Sequence, residues 1–347
     1  METKFFLGAN SPGGFSSLYS DFVDPERDRL NIIKSGPGSG KSTFMRLIAE
    51  RAEGLGYDVE LIKCSGDPDS LDGVYIPAKN TAYVDGTAPH IIEPVYSGSG
   101  DNYIDLSRFY DRDGVRSVHA EIMGLTADYK AEYQKAYMLI ASAHSAETAL
   151  KPSNSEYTDR ALKRMSSVLA REIKSSGKRG GKQRRRYLNA VTCKGRIAFY
   201  ETVPQLAERV FIIDSDAGLN KPVMAEIRKK AGNMGWDMIL CLSPMDPGEI
   251  LHIILPELSC AFVSSLSAEP YPYEGYRRIR LDSIPDSGFM RAVKESKKLP
   301  EAILNEAVKK LEKAKEYHDE LEKVYNPFVD FDSVRALALN EADRLFG

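Results

Sequence analysis

The sequence of 347 residues has no C-x-x-C pair and no dense cysteine spacing, since Cys64, Cys193, Cys241 and Cys260 stand far apart. This argues against a disulfide framework or a zinc site and predicts reduced, buried thiols. An apolar run of membrane-spanning length is also missing, and the one in "METKFFLGANSPGG" is too short for the core of a signal peptide. Charge of one sign is scarce as well: the formal net charge is -3, too close to neutral to announce a nucleic-acid or membrane partner for the molecule as a whole. The expectation is a soluble cytoplasmic protein with no membrane partner. With 42% apolar and 28% charged residues the chain is long enough for two ordinary domains with sizeable cores.

What the sequence does have is glycine in a telling place. "LNIIKSGPGSGKSTFM" (30–45) sets a glycine-rich loop between a short apolar strand and a helix that carries Phe44, Leu47, Ile48, Arg51, Ala52 and Leu55 at helical spacing. In that context successive backbone N–H groups converge on phosphate oxygens at the positive end of the helix. Ser35, Gly36, Pro37, Gly38, Ser39, Gly40, Lys41, Ser42 and Thr43 form the predicted nucleotide cradle. Lys41 reaches the β- and γ-phosphates, Ser42 ligates Mg²⁺ and Thr43 stands near the α-phosphate. Ser35 occupies the first glycine position of the usual G-x-x-x-x-G-K-[ST] pattern. A carboxylate to steady the metal is found in "NTAYVDGTAPH" (80–90), where an apolar strand ends in Asp85. Gly86 follows it, so the glutamate that often activates water in ATPases is absent from that position. "KCSGDPDSLDG" places Asp67, Asp69 and Asp72 after the strand "DVELIKC", at the strand end where open α/β sheets bind ligands. For Asp67 a turn role is preferred.

The chain also matches itself at an offset of about 180 residues. Gly14 and Tyr19 fall on Gly195 and Tyr200, Ile32 and Ile33 on Ile212 and Ile213, Gly38 on Gly218, and Lys41 on Lys221. Further on, Asp67-Pro68 falls on Asp246-Pro247 and Pro77 on Pro256. The losses are concentrated on the predicted chemistry: Gly40 becomes Asn220, Ser42 becomes Pro222, Asp69 becomes Gly248, Asp72 becomes Leu251 and Asp85 becomes Ser264. Proline has neither hydroxyl nor N–H to offer. Asp214 and Asp216 replace Lys34 and Gly36. A carboxylate about 4 Å from a phosphate charge is repelled by roughly 4 kcal/mol at an effective dielectric near 20. The second loop should therefore hold no nucleotide, leaving Lys221 as a relic or a salt-bridge partner. Thr87 and His90, facing Leu266 and Glu269, are also lost, although for His90 a turn or surface position is the favoured reading.

Taken together, "SGPGSGKST", "DPDSLDG" and "DGTAPH" resemble a bacterial family of tandem P-loop ATPases, over essentially the whole chain. The resemblance implies ATP and Mg²⁺ as cofactors. In that family the second half tends to carry an intact loop, and this chain departs from it at Asp216, Asn220 and Pro222. The fold expected is α/β: a tandem duplication of P-loop NTPase-like, mainly parallel sheet units, each followed by a helical hairpin. The divisions are 1–110 (nucleotide unit), 111–176 (hairpin), 177–186 (basic linker), 187–288 (degenerate repeat) and 289–347 (hairpin). In the last, Leu304, Val308, Leu311, Ala314, His318, Leu321 and Tyr325 form one helical stripe before a break at Asn326-Pro327. The counterpart breaks near Lys151-Pro152, and the two hairpins are expected to pack on each other. "REIKSSGKRGGKQRRR" (171–186) carries eight basic residues and one acid. It reads as a solvated linker, a cationic lid over phosphates, or, without aromatics for stacking, a weak nucleic-acid contact.

The leading function is Mg-dependent ATP binding and hydrolysis at the first loop. Lys41 stabilises transferred charge, Ser42 and Asp85 hold the metal, and Asp69 or Asp72 positions the attacking group. Two alternatives stand beside it: a kinase acting on a small-molecule phosphoryl acceptor, and a nucleotide-gated binding protein with no turnover.

Overall fold

The computed structural model describes residues 1–96 and 98–347. In the first half lie β1 (Glu2–Phe5), β2 (Gly8–Ser11), β3 (Gly14–Ser17), β4 (Arg29–Lys34), α1 (Lys41–Gly54), β5 (Val59–Lys63), β6 (Leu71–Ile76), β7 (Thr81–Asp85), β8 (Asp101–Asp105), α2 (Arg112–Ser117), α3 (His119–Leu150) and α4 (Ser155–Glu172). The second half holds β9 (Gln183–Arg186), β10 (Asn189–Thr192), β11 (Gly195–Ala198), α5 (Thr202–Leu206), β12 (Arg209–Asp214), α6 (Asn220–Asn233), β13 (Met238–Leu242), β14 (Ile250–Leu255), β15 (Cys260–Ser265) and β16 (Arg277–Arg280). It closes with α7 (Ser287–Ser296), α8 (Lys298–Tyr325) and α9 (Phe331–Phe346). Among the described residues no helix is long and apolar enough to cross a membrane.

The protein is α/β, built on two mixed sheets of six strands ordered β1-β5-β6-β7-β4-β8 and β9-β13-β14-β15-β12-β16. Term by term the orders correspond. In each sheet the loop-bearing strand, β4 or β12, pairs in parallel with both neighbours, while β6 and β14 run antiparallel to theirs. Asp72 therefore does not trail "DVELIKC" as the sequence reading had it. It lies inside β6, which runs back and begins at the sheet edge where β5 and β7 end.

The halves meet through equivalent residues. Phe6 and Tyr187 exchange backbone hydrogen bonds of 2.8 and 2.9 Å, and the Asn10 amide donates to Val191 O at 2.8 Å. Helices α3 and α8 lie along each other and bury Ala136, Ile140, Leu304 and Leu311 between them. Beyond this mutual contact the hairpins are exchanged. Val334, Ala338 and Ala342 of α9 join the core around Ile33, Phe44 and Ile48 of the first unit. Reciprocally, Tyr157, Ala161 and Met165 of α4 join the core around Val223, Met224 and Ile227 of the second. Each loop helix is thus covered by the other half's hairpin.

Residues 183–186, read as part of a basic linker or lid, form the edge strand β9 beside β13. Arg186 is fully buried, with Nε 2.8 Å from Glu60 Oε1 and further bonds to Asp21 O and Phe22 O. Arg185 pairs with Asp21 and Lys182 with Asp24. These positive charges clamp the two halves together.

Candidate functional site

The first loop begins where β4 ends, and hydrophobic burial of Ile32 and Ile33 fixes that strand between β7 and the edge strand β8. Gly38 and Gly40 take positive φ of 65° and 84°, which only glycine adopts without strain, and Gly40 directly precedes α1. Lys41, Ser42 and Thr43 form the first turn of α1. Lys41 Nζ donates to Gly36 O at 2.7 Å and lies 3.6 Å from Asp85 Oδ2. Asp85, in register with Ile33 across β4 and β7, accepts from the backbone N–H of Thr87 at 2.8 Å and from its hydroxyl. The Ser42 hydroxyl accepts from Leu71 N at 2.9 Å, which joins the loop to β6. Ser39 bonds back to Gly36 O, and the Ser35 hydroxyl is buried without a partner. Among the described residues no protein acceptor is found for the N–H groups of Gly36, Gly38 or Gly40.

The second half's helical break touches this loop. A Cβ added to Gly38 would sit 3.1 Å from the Glu322 backbone, and one on Gly40 3.4 Å from Val334. With its side-chain amide turned to satisfy its neighbours, Asn326 donates to Gly38 O at 3.2 Å, and the Tyr110 hydroxyl donates to Pro37 O at 3.3 Å.

The other predicted residues separate. Asp67 does make a turn, accepting from Asp69 N and the Ser70 hydroxyl. Asp69 points outward and pairs with Lys194 of the second half, which holds its carboxyl below the usual range. Asp72 is buried next to Asp85. His90, read as a turn or surface residue, does close a turn, its N–H donating to Thr87 O at 2.8 Å, but it is only 6% exposed, so the surface half of that reading is corrected. Its ring lies against Phe15 and Tyr19, with centroids 5.0 and 4.8 Å away, and its Nε2 is 3.2 Å from Asp72 Oδ2. The Tyr19 hydroxyl donates to the same oxygen at 2.9 Å, and Cys64 completes the cluster. Burial, with Asp85 adding repulsion, pushes the Asp72 carboxyl up; burial likewise pushes up Tyr19 and the Cys64 thiol.

The second loop is satisfied from within. The Asp282 carboxylate accepts from Asp216 N at 2.8 Å and Ala217 N at 2.9 Å, while the Ser215 hydroxyl accepts from Asn220 N at 2.8 Å. Lys221 turns to Asp246 at 2.8 Å, and Asp216 pairs with Lys297. Asp282 takes the place of Ser107 in the first half, as the registers of β8 and β16 show, and sequence comparison missed it because the offset between the halves has shifted by then. A cleft of about 540 Å³ opens beside this loop. Its walls carry Glu147, Asp246, Glu249 and Glu269 together with Lys151, Arg196, Lys221 and Lys297, and burial raises the carboxyls of Glu249 and Glu269. Its size would admit a small ligand, and its walls offer charges of both signs.

No protein-family model, no curated protein and no solved structure matches the chain.

Proposed function

We propose that the first half is a P-loop NTPase unit that binds and hydrolyses Mg-ATP, and that the chain is a tandem duplication whose second half binds no nucleotide. The observation that carries this reading is the first loop's unclaimed N–H groups, held open by Gly38 and Gly40 at the start of α1, with Lys41 between loop and Asp85. A partnerless buried Ser35 hydroxyl and free amides suit a cradle for an anion. Lys41 would shift its Nζ from Gly36 O to the bound phosphates, and Ser42 with Asp85 would hold the cation. Bound Mg-ATP would supply the phosphoryl group and the divalent charge that neutralises it. The chain's own part is to position, to exclude water and to present positive charge where negative charge builds.

No carboxylate follows Asp85, and Asp69 is drawn away by Lys194, so turnover should be slow. The α8–α9 junction against Gly38 adds a second reading, in which nucleotide binding moves the hairpin and the motion is the output. Both readings require Lys41. Lys41→Ala should lower ATP turnover by about 10²–10³, the usual loss for one charge-stabilising donor, with melting unchanged. Wild-type turnover in that variant would exclude the proposal.

A further inference from the structure

We infer that Cys64, Asp72 and His90 form a binding site for a thiophilic divalent cation, zinc being the first candidate, beside the first loop and separate from any Mg²⁺ held there. The ligand atoms of the three side chains all lie within 4.8 Å of one another. Zinc bonds of about 2.0 Å to nitrogen and oxygen put two ligand atoms roughly 3.3 Å apart across a tetrahedron. His90 Nε2 and Asp72 Oδ2 are already 3.2 Å apart, so only the thiol has to close in. The set of one sulfur, one imidazole and one carboxylate is a zinc donor set with a fourth position left open, the pattern of catalytic rather than structural sites. The Tyr19 hydroxyl, bonded to the ligating carboxylate, and the aromatic walls of Phe15 and Tyr19 fix the ligands' orientation from outside.

Charge and the internal repeat point the same way. Two carboxylates, Asp72 and Asp85, sit together with Lys41 on the Asp85 side, and among the described residues His90 is the basic group paired with Asp72. A cation is what this arrangement has room for electrostatically. In the second half the strands and Tyr200 are retained, but the three positions are Ser243, Leu251 and Glu269. All three ligands are lost together where the loop is filled by its own chain. Cysteine spacing argued against zinc, but spacing is blind to a set whose ligands come from the ends of β5 and β6 and the turn after β7, since no short motif records them.

The test uses the nucleotide-free full chain, stripped with a chelator and titrated with Co²⁺, then Zn²⁺. One equivalent of cobalt should bind with a near-ultraviolet thiolate-to-cobalt band, and zinc should displace it. The half-buried His318, Asp319 and Glu322 group has no sulfur and cannot give that band. Cys64→Ser, which installs the second half's own residue, should abolish the band. His90→Gln should weaken cobalt binding by about 10–100-fold, and it serves as the readout if the serine variant does not fold. Absence of the thiolate band, far less than one equivalent bound, or a band surviving in a folded Cys64→Ser or at full affinity in His90→Gln would overturn the site and leave a hydrogen-bonded cluster.

Discussion

Two loops occupy equivalent places in two sheets of the same strand order, yet they handle their backbone dipoles in opposite ways. The first leaves the N–H groups of Gly36, Gly38 and Gly40 without protein acceptors among the described residues, and its lysine folds against a loop carbonyl. At the second, Asp282 and Ser215 accept from the loop and Lys221 is tied to Asp246. A loop that keeps its amides free stays costly unless an anion or solvent meets them, whereas one that bonds to its own carboxylate is stable by itself. In the second half a carboxylate of the chain itself meets the loop amides, while the strand order stays the same.

The largest expected effect tests whether the halves are one folding unit. Arg186 is fully buried against Glu60, while the equivalent first-half residue is Phe5. Removing the guanidinium leaves Glu60 uncompensated, so Arg186→Ala should destabilise by about 3–5 kcal/mol in denaturant unfolding. Exposed Arg184 on the same strand should cost less than about 0.5 kcal/mol when changed to alanine. Equal effects would restore the linker reading of this segment.

A pH measurement sharpens the comparison next. His252, whose first-half equivalent is Gly73, is fully buried; it accepts from Ser264 N at 3.2 Å and bonds Asn189 Oδ1 at 2.8 Å through its other nitrogen. Burial pushes its pKa down to about 3 from 6.5. The native state holds the ring neutral, so its full contribution is present above pH 6.5 and drains away as pH falls from 6.5 toward 3. The loss at pH 5 should be about 2 kcal/mol, measured as the wild-type slope against that of His252→Gln. A variant with the same pH slope as wild type would contradict the assignment.

The smallest effect concerns the internal anion. Asp282→Asn should weaken two charge-assisted bonds and reduce stability by about 1–2 kcal/mol. It should not create nucleotide binding, because Pro222 still lacks hydroxyl and N–H and Asp216 remains. Nucleotide affinity gained by this single change would show that Asp282 alone had closed the site.

Much of this was legible in the residues. The loop between strand and helix, the aspartate ending β7 and the repeat across both halves could be read because each depends on local spacing or on a copy within the chain. His90 was not, since its burial depends on Phe15 and Tyr19, brought to it by tertiary packing. Strand β9 was hidden for a different reason: in "QRRR" a single arginine points inward, and an ion pair replaces the apolar alternation that marks strands. The exchange of hairpins was invisible as well, because a repeat records what is duplicated and not which copy a helix covers.

The central claim, one working loop and one filled loop, is tested most directly by counting nucleotides. Equilibrium titration of the full chain with a non-hydrolysable ATP analogue and Mg²⁺ should give one bound nucleotide per chain. Lys41→Ala should weaken that binding, and Lys221→Ala should leave it unchanged. Two nucleotides per chain, or a Lys221→Ala variant as impaired as Lys41→Ala, would contradict the account.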